Sequence, residues 1–532
     1  MARVSAALTL VAAVAVGLLL VSGGSDADPR TPDGLPGLPP PFLGIAVVGG
    51  GGIAAAVDAY GDIVDLRTSP AGPASLTVPA ARQVTGAVAP EMAIVPRVRL
   101  PDGRMLPFWR ADAIAQRYRP GTNLLVTTAR FGQLRASVTY GADNATLACL
   151  TSVTRSDGEA GGDGGSAHPR AAIVRIDIPG PAAKATAGRL RCNEPMARTM
   201  LVAAARSDRR WLAAASPLTA AAPPWAARMY GRSQLVLRAF TDRSTGAVAA
   251  GAREGWAYVW PRDAATATLA FAATGRGAES RQTARFLLSL DLAAAARFNG
   301  DGSPVAGRAA QGDAPGWVTI AAERAGLSSG VALRTGPRES DPVAPDYQEK
   351  SAAEYLGNAI AATALDSPSG RLTAAESISR AFGAAGLNRV AHSPRSGADS
   401  AAAWAVRPFA LPGLAAQVRV SLRRLLARGG RFGIVPSADW PERDPWSAPT
   451  AWSAWAFAAL ARGARRAGRP ALARADRRAA LGLLADLRRA ATPLGTLPER
   501  VDFHSGSPRS TTPLAWPHAF AILALRELWP TD

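Results

Sequence analysis

The chain has 532 residues, 48% of them hydrophobic and 19% charged, with a formal net charge of +19 and a pI near 11.2. That size and apolar content support one large or two medium domains and exclude a wholly disordered chain. The positive excess is almost all arginine, Lys184 and Lys350 being the only lysines, and it is scattered without a lysine-rich tail or basic heptad. No nucleic-acid partner is therefore expected, while attraction to an anionic cell envelope stays open.

In chain order, Arg3 precedes an uncharged, mostly apolar run from Val4 to Val21 and then small residues. Residues 1–25 thus read as a secretory signal or an uncleaved signal anchor in the membrane, and the remainder is expected to be extracellular or at the cell surface. The stretch DADPRTPDGLPGLPPP, residues 26–41, is a proline-rich linker with no periodicity for a core element.

Residues 42–216 carry short apolar runs broken by Gly, Pro, Asp and Asn, among them FLGIAVVGGGGIAAAVDAYGDIVDLR and NLLVTTARFGQLRASVTY. Runs of this length between turn residues predict a β-sandwich. Both cysteines, Cys149 and Cys192, fall here. In an exported protein a disulfide between them is expected, worth on the order of 3 to 4 kcal/mol for the loop it closes, with two unpaired thiols as the alternative. Two cysteines and four histidines are too few for a structural zinc site, so no metal is expected; no cofactor is expected either.

From 217 to 532 apolar residues recur at spacings of three and four, giving eleven candidate helices from SQLVLRAF to PLAWPHAFAILALREL. So many similar helices must bury their inner faces against one another, as a bundle, solenoid or closed toroid. The connections carry the unusual residues, where function concentrates.

One connection is EGWAYVWPRDAA, with Trp256, Tyr258, Trp260, Arg262 and Asp263. Flat aromatic faces suit stacking on a sugar ring, and an adjacent Arg and Asp can hydrogen-bond hydroxyls as a fixed pair. An aromatic core plug with a structural ion pair fits this stretch equally well. A second connection, LPERVDFHSGSPRSTTPLAWPHAF, brings Glu499 before a Gly/Ser/Pro loop and then Trp516 and His518 at the head of the last helix. A carboxylate beside aromatics at a loop opening can serve as a general base on water.

Together these stretches resemble glycoside hydrolase family 15, the glucoamylase, glucodextranase and trehalase-like enzymes. WAYVWPRDAA is similar to the aromatic-x-Tyr-x-Trp-x-Arg-Asp motif; LPERVD with TTPLAWPHA is similar to the Pro-Glu-Gln base loop and the Leu-x-Trp-Ser-His-Ala helix, with Arg500 for Gln and Pro517 for Ser. YRPGTNLLVTTAR, QGDAPGWVTIAA and DWPERDPWSAPTAW extend the likeness over most of the chain.

The resemblance implies an N-terminal super-β-sandwich followed by an (α/α)6 toroid of the six-hairpin glycosidase type, acting on carbohydrate as an exo-acting, inverting α-glucoside hydrolase that releases glucose from non-reducing ends. It implies Glu499 as general base and, through DYQEKSAAEYLGNAIA, Glu349 as general acid, with Tyr347 for the family's Trp and Gln348 for one Glu; Glu354, Glu339 and Glu442 are the alternatives for the acid. Arg262 and Asp263 would bind the terminal sugar, Glu442 would contact substrate, Trp260, Trp317, Trp440 and Trp516 would wall the pocket, and Asp439 stands where the family often has a substrate-binding Arg. Trp256, Tyr258 and His518 join the expected binding set. Two rival readings stay open: a carbohydrate-binding envelope protein whose acid loop has drifted to YQEK, and a glycoside phosphorylase, against which the presence of Glu499 speaks.

Overall fold

Where the amino-terminal runs alternate, they form strands. β7 (Ala113–Tyr118) shows why: Ile114 and Gln116 point inward while Ala115 and Arg117 face solvent, the two-residue period of a sheet with one wet face. The computed structural model describes residues 46–78, 93–143, 145–155, 173–178, 189–253, 255–308, 310–331, 375, 376, 379, 398–438 and 440–531. The residues expected to form a signal segment and a linker, 1–25 and 26–41, with Glu349, Glu354, Glu339, Asp439, the candidate helix at 352–365 and most of that at 372–386, lie outside the described residues.

β1 (Ala46–Gly49), β2 (Ala54–Val57), β3 (Ile63–Arg67) and β4 (Ala74–Thr77) form an antiparallel meander. β5 (Val95–Arg99) lies between β6 (Met105–Pro107) and β11 (Ile173–Asp177). The third sheet has the order β12-β10-β9-β8-β7, with β8 (Leu125–Phe131), β9 (Leu134–Ala142), β10 (Leu147–Arg155) and β12 (Leu190–Cys192). β12 runs parallel to β10, placing Cys192 opposite Cys149, and the two are joined in a disulfide. All three sheets contribute to one core, through Val48, Leu66, Val98, Leu125, Val138 and Tyr140.

Two buried acids sit inside this region, on the turn between β2 and β3. Asp58 accepts the backbone N–H groups of Tyr60 and Asp62, both at 2.9 Å, and its own carbonyl receives the Gln116 amide at 2.6 Å. Polar Gln116 on the inner face hid β7 from a reading based on apolar residues alone.

A helix also lies within 42–216, where only strands were expected. α1 (Pro195–Ala213) packs on β9 and β10 through Ala197, Leu201, Ala204 and Ala205. Its buried stripe is mostly alanine and ends on Asp208, which explains why the helical period was weak in the sequence.

The helical region follows with α2 (Pro224–Phe240), α3 (Pro261–Ala273), α4 (Gly277–Leu288), α5 (Ala314–Arg324), α6 (Ala415–Arg428), α7 (Ser447–Arg466), α8 (Pro470–Ala490) and α9 (Ala515–Leu528). α3 and α9 are almost wholly buried, and α7 is buried over its first fifteen residues, so their apolar character runs all round; α8 keeps a wet, arginine-rich face. α9 packs against α2, α3 and α7. Among the described residues no helix is long and apolar enough to cross a membrane.

Two predicted helices are shorter than their apolar periods suggested. The run at 280–298 is helical only to Leu288; beyond it the chain turns, and Phe298 pairs with Val259 through two backbone hydrogen bonds of 2.8 Å. The run at 400–411 is a short 3-10 turn, Ser400–Ala405, followed by Pro408, whose ring cannot continue a helix.

The two regions meet along α2. Asn123, between β7 and β8, donates its amide to the Leu235 carbonyl at 2.9 Å and accepts from Arg232 at 2.9 Å, while the Arg232 guanidinium lies 3.8 Å from the Tyr118 ring centroid. Asp208 of α1 accepts the Asn123 N–H at 2.7 Å and pairs with Arg238 of α2 at 3.3 Å.

Candidate active site

Helices α3, α7 and α9 each begin at the same place. Their N-terminal flanking residues, Trp260, Trp446 and Leu514, have extended backbone and line one cavity, together with Arg262, Asp263, Ala448 and Trp516 from the first turns. The cavity has a volume of about 430 Å³ and is completed by Ala250, Gly255, Trp256, Arg297, Arg308, Trp440 and Glu499.

Glu499 is fixed by backbone on both sides: its N–H donates to the Thr511 carbonyl at 3.0 Å and its carbonyl accepts from Ser447 at 2.9 Å. Leu514 bonds Leu497 and Ala515 bonds Ala250, so four extended segments lie side by side under the cavity. The half-buried carboxylate receives the Trp256 indole N–H at 3.2 Å on one oxygen and the Ser510 hydroxyl on the other. Both are donors, and an ionised carboxylate offers an acceptor to each. Gly251 is required here, because a Cβ on it would sit 2.9 Å from Trp256 Cβ and push the indole off Glu499.

Arg262 is 2% exposed, and its Nη1 donates to both carboxylate oxygens of fully buried Asp313, at 2.9 and 2.8 Å. Arg262 is therefore paired with Asp313, at the head of α5. Arg262 also lies 4.8 Å from the Trp516 ring, whose Nε1 donates to Thr266 at 3.2 Å.

Of the residues predicted from sequence, the structure brings Trp256, Trp260, Arg262, Asp263, Trp440, Trp516 and Glu499 to this one cavity. Four others are placed elsewhere. Trp317 is fully buried against Trp404, Phe409 and Phe520, with ring centroids 4.7 to 6.3 Å away, and is a core residue. His518 is also fully buried: its Nε2 accepts the Leu497 N–H at 2.9 Å, which leaves Nδ1 as the donor to Ser233 Oγ, 2.9 Å away. Burial, with Arg232 adding to it, holds this imidazole down at about 3. It positions the segment leading to Glu499 and does not face the cavity. Glu442 is half exposed and ion-paired with Arg500, and Tyr258 packs behind the wall under Arg297, 4.9 Å from its ring.

Arg297, Arg308, Trp446 and Asp313 escaped the sequence reading. Asp313 and Trp446 lay inside stretches already quoted for their likeness, QGDAPGW and DPWSAP, without an assigned role. Arg297 was hidden because its segment read as a helix tail; the pairing of Phe298 with Val259 instead swings it beside WAYVW.

No protein-family model and no curated protein sequence matches the chain. Among solved structures, a bacterial glucoamylase in complex with acarbose superposes with a TM-score of 0.58 over 95% of this chain and 96% of its own, at 12% identity. The chain has the fold of that glucoamylase. A Saccharomycopsis fibuligera glucoamylase aligns at a TM-score of 0.45, 15% identity, over 57% of this chain and 94% of its own. A glycoside hydrolase family 15 glucoamylase from Hypocrea jecorina aligns at 0.41, 17% identity, over 55% and 68%. These two superpositions add no weight to the first. The glucoamylase-like fold comprises here a β-sheet region and a helical region, with the cavity opening at the heads of three helices of the latter.

Proposed function

We propose that the protein is an exported, exo-acting, inverting hydrolase of α-glucosides, with residues 42–216 as a super-β-sandwich and 217–532 as an (α/α)6 toroid. The observation that carries this reading is Glu499, a carboxylate held by two donors in a cavity that also contains Arg262, Asp263 and three tryptophan side chains from helix heads. The substrate class follows from the glucoamylase fold together with the motifs WAYVWPRD and LPERVD.

In this reading Glu499 takes a proton from a water that attacks the anomeric carbon, and a second carboxyl group protonates the departing oxygen from the opposite face of the sugar. Inversion requires the two roughly 6.5 to 9.5 Å apart, leaving room for the water. Glu349 fills the acid role by its place in DYQEK. Arg262, its charge balanced by Asp313, and Asp263 hold the terminal sugar's hydroxyls.

Glu499→Gln keeps the size and the contact with Ser510 but cannot take a proton. Turnover of maltose, isomaltose or trehalose is expected to fall at least a hundredfold, the usual worth of general base help, with the β-anomer released by the parent protein. Acarbose is expected to inhibit. Sugar binding without hydrolysis in the parent would favour the carbohydrate-binding reading, and turnover only with added phosphate would favour a phosphorylase.

A further inference from the structure

The aromatic wall of the cavity is not bare. Arg308 lies 5.2 Å from the Trp260 ring centroid and Arg297 lies 5.9 Å from it, with Arg297 also 4.9 Å from Tyr258. Both guanidinium groups line the cavity on this side, and they donate hydrogen bonds and accept none. Arg297 differs from Arg262 in one respect: among the described residues no carboxylate pairs with it, and the one hydrogen bond of its guanidinium is a long contact of 3.4 Å to the Gly255 carbonyl. Gly255 adjoins Trp256, the residue that holds Glu499, so this unbalanced cation shares a wall with that carboxylate.

Resting on the reading of this cavity as a glycoside site, we propose that Arg297 fits it to acidic glycosides, whose sugar bears a carboxylate or a phosphate ester. A neutral sugar that displaces water from Arg297 leaves the cation without a counter-charge, whereas an anionic oxygen supplies one through charge-assisted hydrogen bonds in a site already shaped by stacking. The same contact offsets the repulsion that Asp263 and Glu499 exert on an incoming anion.

Calorimetric titration of the full chain with matched probes tests this without requiring turnover: methyl α-D-glucopyranoside, its C6-oxidised uronate, and its 6-phosphate. At least one acidic probe is expected to bind ten times more tightly than the neutral one, the advantage shrinking as sodium chloride is raised; the tighter of the two identifies carboxylate or phosphate as the group recognised. Arg297→Gln should remove about tenfold of the acidic probe's affinity and narrow the gap, and Arg297→Lys should restore part of it. Equal binding of neutral and acidic probes, binding of none at millimolar concentration, or an equal loss for all probes in Arg297→Gln overturns the proposal. If acidic probes bind selectively and Glu499→Gln leaves hydrolysis unchanged, the hydrolase assignment of Glu499 falls while the preference for acid stands.

Discussion

Two buried clusters, one in each region, hold charge in opposite ways. In the helical region Arg262 and Asp313 meet at 2.8 Å in a balanced pair, both nearly inaccessible. In the β region Asp58 and Asp62 are both fully buried, and neither oxygen of Asp62 accepts a hydrogen bond among the described residues. Burial drives the Asp58 carboxyl up to about 7 against the pull of its turn's N–H groups and of Arg253; it drives Asp62 well above the ordinary range, the Asp58 charge adding to it and Arg97 opposing. The balanced pair sets Arg262 at the edge of a cavity, while the unbalanced acids favour their neutral forms and close a turn. Buried ionisable residues therefore mark the site here only where a partner and an opening accompany them.

Breaking the balanced pair should have the largest effect on stability. Asp313→Asn leaves Arg262 charged without its carboxylate, and urea denaturation is expected to show a loss of about 3 to 5 kcal/mol. Arg262→Met with Asp313→Leu should recover much of that loss, while calorimetric binding of methyl α-D-glucopyranoside is expected to be lost.

The unbalanced acids predict a pH dependence instead. Below about 4 the Asp58 carboxyl is protonated in folded and unfolded chains alike, so folding carries no ionisation penalty. As the pH rises toward 7 the unfolded chain ionises and the folded one does not, and stability is lost. Asp58→Asn, whose Oδ1 still accepts both N–H groups, should gain roughly 2 to 4 kcal/mol relative to the parent between pH 4 and 7, measured by thermal melts across that range.

His518 supplies the opposite slope from the helical region. Its folded imidazole titrates near 3, so its contribution is complete above about 6.5 and is lost as the pH falls from there toward 3. His518→Gln is expected to cost about 1 to 2 kcal/mol at pH 7 and to lack this acid-side decline. Smallest of all, Ser137→Ala on the exposed sheet face, which removes a 2.8 Å contact to Ser152, should change stability by less than about 0.5 kcal/mol.

The division into strands and helices was legible because each region keeps its own apolar period over many residues. Elements failed where a polar group occupied an inner position, as Gln116 does in β7 and Asp208 in α1, or where an alanine-rich run could extend past a helix end, as after Leu288. The cavity was legible in WAYVWPRD and LPERVD because helix heads and the loops before them carry local motifs. Trp317 and His518 were misplaced for a shared reason: a motif records that a residue type recurs beside a site, not whether its side chain faces the cavity or the core behind it. Asp313, Arg297 and Arg308 depend on contacts across long stretches of chain, which spacing along the sequence does not encode.

The contacts of Asn123 bear on whether the two regions can be separated. Beside it, β1 approaches α2 so closely that a Cβ on Gly49 would lie 2.9 Å from the Ala239 carbonyl oxygen. A fragment beginning at α2 would expose that backbone surface and strip Arg232 and Arg238 of Asn123 and Asp208 at once. The helical region cut free at α2 is thus expected to be less stable than in the uninterrupted chain, which is expected to melt in a single cooperative transition.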